Sequence, residues 1–154
     1  MSIARASRVR NEMCYLQLCI DQYDDGEIRG RLFNAYYADA LFFDSCMDMV
    51  RQIEDVFNHF DYPHATMDLR SFETEEEKAE RTENTPTVRL KQAPAKEMYV
   101  HDVKGKLATL KMRVMFRQNA SWQGTLKWME EGLQENFQSV LELLLLIDSV
   151  FTDE

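Results

Sequence analysis

The sequence is short of the residues from which catalytic and cofactor frames are usually built. It has five glycines, three cysteines and three histidines among 154 residues. Gly26, Gly30, Gly105, Gly124 and Gly132 never fall at the spacing of a phosphate-cradling loop. Neither a G-x-S-x-G elbow nor an H-E-x-x-H zinc motif occurs. Cys14, Cys19 and Cys46 are odd in number and lack C-x-x-C spacing. Cys14 and Cys19 also have opposite parity on a predicted strand, so they point to opposite faces. The expectation is therefore reduced thiols in a cytoplasmic protein, with no disulfide framework and no zinc. The longest apolar run is Leu143–Ile147, far below the roughly 18 residues of a membrane span. Met1–Arg10 carries Arg5, Arg8 and Arg10 without the apolar stretch of a secretory leader. Cations are outnumbered overall: Lys and Arg total 18 against 27 Asp and Glu, a net charge of −9. That balance argues against direct nucleic-acid binding and against an anionic membrane surface. What is present, 45% apolar and 29% charged residues, suffices for one globular core.

The sequence repeats itself at an offset of 94 residues, where Leu16–Phe57 aligns with Leu110–Phe151 without a gap. Identical pairs are Leu16/Leu110, Gly30/Gly124, Leu32/Leu126, Phe43/Phe137, Ser45/Ser139, Ile53/Ile147, Val56/Val150 and Phe57/Phe151. They fall on predicted apolar faces, a strand glycine and a helix cap. In the first copy, Leu16, Leu18 and Ile20 alternate with polar residues, the period of a half-buried strand. Asp24, Asp25 and Gly26 supply a tight hairpin turn. Ile28, Gly30 and Leu32 continue the inward face, and Ala40–Phe43 forms a short third strand. Ser45 and Asp48 make a capping box. It opens a helix whose predicted stripe is Cys46, Val50, Ile53, Phe57 and Phe60. In the second copy Met112, Val114 and Phe116 alternate, residues 118–121 turn, and Trp122, Gly124, Leu126 and Trp128 share a face. Glu131 and Gly132 turn again, Leu133–Phe137 returns, and Ser139 with Glu142 repeats the capping box. The final helix, Val140–Phe151, is apolar nearly all round and is expected to be covered on more than one side, by the other copy or by a second chain.

The predicted class is α+β: internally duplicated β-β-β-α units, antiparallel strands and two main helices packed on one side. The organisation is a basic arm over 1–13, a first unit over 14–63, an acidic linker with ordered flanks over 64–105 and a second unit over 106–154. Glu73, Glu75, Glu76, Glu77, Glu80 and Glu83 crowd the linker, Pro86 and Pro94 lie after them, and a helical turn is predicted near Glu75–Arg81. Met67, Leu69 and Phe72 are expected to pack back onto the core, and Met98, Tyr99 and Val100 to lead into the second unit.

Candidate chemistry is sparse. His59, Asp61, His64 and Asp68 lie close in sequence but match no familiar metal spacing, and His101 stands apart. Asp21, Asp24, Asp25 and Glu27 lack a calcium loop, as do Asp44 and Asp48. No cofactor, metal or catalytic residue is assigned. Two readings of Trp122 and Trp128 stand: core facing a helix, or an exposed aromatic platform for a partner. Phe33, Tyr37 and Phe42 fall off the inward stripe, an apolar surplus that would mark an interface.

The segments Tyr62-Pro63, Met67, Arg70-Ser71-Phe72 and Phe116-Arg117 through Trp122 and Gly124 resemble those of a group of small acidic proteins predicted in clostridia-like gut bacteria. The resemblance implies a bacterial, cytoplasmic setting and no particular chemistry. The function expected is a non-enzymatic acidic module that binds another bacterial protein. Its most concrete form is an inhibitor seated in the basic groove of a nucleic-acid enzyme, of the anti-CRISPR or DNA-mimic type. The residues expected to carry it are Asp21, Asp24, Asp25, Glu27, Glu75, Glu76, Glu77, Arg117, Trp122 and Trp128. The alternatives are a structural homodimer or complex subunit, and a nucleic-acid-binding accessory protein that uses Arg5, Arg8 and Arg10.

Overall fold

The computed structural model describes residues 15–34, 36–67, 69–84 and 103–152. Arg5, Arg8, Arg10, Cys14, Asp68, Pro86, Pro94, Met98, Tyr99, Val100 and His101 lie outside them. The elements are β1 (Tyr15–Asp24), β2 (Glu27–Phe33), β3 (Leu41–Phe43), α1 (Cys46–Phe60), α2 (Glu75–Asn84), β4 (Ala108–Phe116), β5 (Gln123–Trp128), β6 (Leu133–Phe137) and α3 (Val140–Phe151). The six strands form one antiparallel sheet in the order β3-β2-β1-β4-β5-β6, so the fold is α+β.

Local chemistry explains each element. Asp25 and Gly26 both take positive φ, 49° and 87°, which matches a two-residue hairpin turn to the right-handed twist of its strands. Asn119 and Ala120 also take positive φ, 56° each, inside the longer β4–β5 connection, where Ser121 N donates to Gln118 O at 3.1 Å. Ser45 Oγ accepts from Asp48 N at 3.0 Å, and Asp48 accepts from Asp44 N at 3.2 Å. Ser139 and Glu142 repeat this at 3.1 Å and, from Gln138 N, 2.7 Å. Each box satisfies backbone donors that the first turn leaves open. Thr74 caps α2 by accepting from Glu77 N at 3.1 Å, and the helix runs past the predicted turn to Asn84.

One core cluster holds Leu16, Leu18 and Ile20 of β1, Ile28 and Leu32 of β2, Leu110, Met112 and Val114 of β4, and Leu126 of β5. Met49, Ile53, Val56 and Phe57 of α1 and Leu143 and Ile147 of α3 join it. The buried stripe of α1 is thus centred on Met49 and Ile53, with Cys46, Val50 and Phe60 only partly buried at its margin. A stripe over 100° wide, rather than a single seam, is the reason.

Several expectations are corrected. Phe116 is 54% exposed, not inward. The pairing of β4 with β5 slips between Val114 and Phe116, and such a bulge reverses the facing of the residues after it, so Arg117 turns inward instead. An equivalent slip between Ile20 and Gln22 brings Tyr23 opposite Ile28. Tyr37 is buried against Phe60 and His59 rather than set on the outer face, and burial pushes its hydroxyl pKa up to about 12. Met67, Leu69 and Phe72 are exposed. Thr66 N donates to Arg117 O at 3.2 Å, and beyond that tie these side chains stand in water. Among the described residues, nothing covers Leu141 and Leu145 of α3, which remain exposed.

Two contacts tie each of α1 and α3 to the strand pair 94 residues away from its own. Arg117 Nη1 donates to Glu54 of α1 at 3.1 Å, with its guanidinium 5.8 Å from the Phe57 ring centre. Tyr23 Oη donates to Asp148 of α3 at 2.6 Å, with its ring stacked 4.8 Å from Phe151. Glu54 and Asp148, Phe57 and Phe151, and Tyr23 and Arg117 are each 94 positions apart.

Candidate functional site

The expected site residues do not come together. Arg117 is 3% exposed. Besides Glu54 it donates to Asn58 Oδ1 at 2.8 Å and to the Pro63 carbonyl. Trp122 is equally buried, and its Nε1 donates to Glu54 Oε1 at 2.8 Å. Trp128 packs partly buried against the core. Arg117 and Trp122 therefore hold the interior and Trp128 lies at its margin, so the core reading is realised for Trp122. Asp24, Asp25 and Glu27 stand exposed at the first hairpin tip, and Glu75, Glu76 and Glu77 stand exposed in the first turn of α2. These two acidic groups belong to different elements.

Asp21 behaves differently. It lies on the sheet face turned away from the core and takes a forked pair of bonds from Arg31, at 3.0 and 3.1 Å. Lys106 N adds a third at 3.0 Å. Partial burial would raise its pKa, but these donors outweigh it and the carboxyl sits below its ordinary value. A depressed folded pKa gives stability that is present above the unfolded value and lost as pH falls through the folded one. Asp21→Asn is expected to cost about 1 kcal/mol at pH 7. The gap to wild type should close below about pH 4 in urea titrations. A gap of constant size down to about pH 2 would remove the Asp21 charge as its source.

That same face is crossed by residues 103–107. Gln17 Nε2 donates to Val103 O at 2.6 Å, Arg31 to Lys104 O at 3.0 Å, and Gly105 N to Thr109 Oγ1 at 3.0 Å. Leu107 N continues onto Ile20 O at 2.9 Å. A Cβ on Gly105 would strike the backbone of Ile20 and Ala108, so glycine lets this strap lie flat. Beside it is an open cavity of about 80 Å³, lined by Gln17, Thr109, Lys104, Lys111 and Glu130 among others. Gln17 Oε1 is buried there without a hydrogen-bond partner among the described residues.

The cations of this face were not singled out in the sequence. Arg29 and Arg31 of β2, Lys111 and Arg113 of β4 and Lys127 of β5 alternate with core residues, so they face outward. The signal that could have found them is outward parity on strands whose inward positions are apolar. Aromatic rings share the face. Arg31 lies 5.8 Å from the Phe33 ring centre and Arg113 5.5 Å from that of Tyr15.

Among the described residues, no three His, Cys, Asp or Glu side chains gather as a metal site. His64 pairs with Asp61 at 3.3 Å, whereas the His59 ring packs on Phe60. Cys19 and Cys46 are free thiols, and burial pushes both pKa values up. No helix among the described residues is long and apolar enough to cross a membrane. The chain matches no family model, no curated protein and no solved structure.

Proposed function

We propose that this chain is a non-enzymatic protein-binding module of a bacterial cytoplasm, whose acidic surface occupies a basic groove of another protein. The carrying observation is the placement of its carboxylates. Asp24, Asp25 and Glu27 at one hairpin tip, Asp44 before α1, Glu131 at a second turn, Glu142 on α3 and Glu75–Glu77 on α2 are all exposed. Fixed carboxylates at turns and helix starts present negative charge without ordering cost, which favours fast, salt-sensitive association with a cationic groove. The channel of a nucleic-acid enzyme is such a groove, and its occupation would make the module an inhibitor of the anti-CRISPR or DNA-mimic type. The frame is read as a duplicated β-β-β-α unit with both main helices on one side of the sheet. Three features recurring 94 residues apart support this: the capping boxes, the bulges and the reciprocal ties Arg117–Glu54 and Tyr23–Asp148.

The test is affinity capture from a bacterial lysate with the immobilised chain, eluted by a salt gradient. A partner released by moderate salt, and lost when Asp24, Asp25 and Glu27 become amides, supports the reading. A partner retained at high salt and indifferent to those changes overturns it. A second reading, a structural homodimer, is favoured by Leu141 and Leu145, 67% and 60% exposed one helical turn apart on α3. Sedimentation at micromolar concentration tests it, and a clean monomer removes it.

A further inference from the structure

The net charge of −9 conceals a face of opposite sign. On the side of the sheet turned away from the core, Arg29 and Lys127 are exposed, and the strap laid over this side adds exposed Lys104 and Lys106. Arg31, Lys111 and Arg113 stand half-buried between them and are engaged in contacts of their own. Of the acids near these cations, Asp21 is matched by Arg31 and Glu130 accepts from Thr109 N, while Asp24 and Glu27 close the first hairpin at one end of the sheet. The aromatic surplus is here too. Phe42 of β3 is 71% exposed and sits directly beside Arg31 in register. One row across the sheet reads Phe33, Gln17, Lys111, Lys127 and Gln134.

We propose that this outer face binds single-stranded nucleic acid, with phosphates on Arg29, Lys104, Lys106 and Lys127 and a base against the Phe42 ring. From β2 to β5 the face spans three strand spacings, roughly 14 Å, enough to track several nucleotides. A flat sheet with cations and an open ring suits unstacked bases, whereas a duplex hides its base faces. The overall negative charge does not forbid this, because charges farther away than about 10 Å are screened at 0.1 M salt. Glu27 of the first hairpin tip stands two residues from Arg29 on β2, but Lys104, Lys106, Lys127 and Phe42 lie on other segments, so the variants below distinguish this binding from the function proposed above.

The test is fluorescence anisotropy of a labelled oligo(dT) titrated with the full chain at low salt. Binding is expected, weakening at least tenfold as salt rises to about 200 mM. Arg29→Glu combined with Lys127→Glu should weaken it by a further order of magnitude or more. Phe42→Ala should weaken it roughly tenfold. Asp24→Asn with Asp25→Asn should not weaken it. All these side chains are exposed, and melting curves verify that each variant is folded. Absence of binding at low salt overturns the proposal. So does displacement by polyglutamate as effective as by unlabelled oligo(dT), with Phe42→Ala silent, since the face would then read an acidic peptide.

Discussion

Glu54→Leu is expected to destabilise the fold by about 3–5 kcal/mol. Glu54 accepts from both Arg117 and Trp122, one through each carboxylate oxygen. Its removal leaves a guanidinium that is only 2% exposed in its side chain without its counter-charge. A buried cation stripped of its partner keeps the full desolvation cost and loses the attraction that offset it. The indole N–H loses its acceptor at the same time. In a domain of this size the melting temperature should fall by roughly 10 °C. Arg117→Met alone should cost less, because Glu54 is more accessible and keeps the Trp122 bond. The double variant Glu54→Leu with Arg117→Met should recover part of the loss, since an apolar pair replaces the ion pair. Urea unfolding of the three variants measures this. A loss below about 1 kcal/mol for Glu54→Leu would show that water reaches Arg117 after all.

Gly124→Ala and Gly30→Ala should each cost about 2 kcal/mol or more, and by similar amounts. A Cβ at Gly124 would run into the Arg113 carbonyl, and one at Gly30 into the Cys19 carbonyl. In both cases the obstacle is the backbone of a neighbouring strand, which cannot rotate away as a side chain can. Each glycine also faces the phenylalanine of its outer neighbour strand, Gly30 with Phe43 and Gly124 with Phe137. Gly26 offers the contrast, with open space around it and φ of 87°. Gly26→Ala should cost only about 1 kcal/mol, from the turn conformation alone. Thermal melts that rank Gly26→Ala as the most harmful of the three would refute the packing argument.

The elements themselves were legible in the chain. Period-2 apolar alternation marks β1 and β2, Asp25 and Gly26 mark the hairpin, and Ser45 with Asp48 and Ser139 with Glu142 mark both helix starts. These are short-range effects, settled by backbone sterics, donor satisfaction and which side of an element is oily. Three further features came only from the assembled sheet. The bulge after Val114 sent Phe116 outward and Arg117 into the interior. Tyr37 found its cover on α1. The outward residues of β2, β4 and β5 were brought together into one cationic face. A bulge depends on how two strands fit, and charge on a face depends on which strands become neighbours. Local patterns thus settle what each segment becomes and, up to the bulges, which side of a strand it buries. Only the tertiary structure decided which exposed sides lie together, because strand order and register are set by long-range packing that no local pattern encodes.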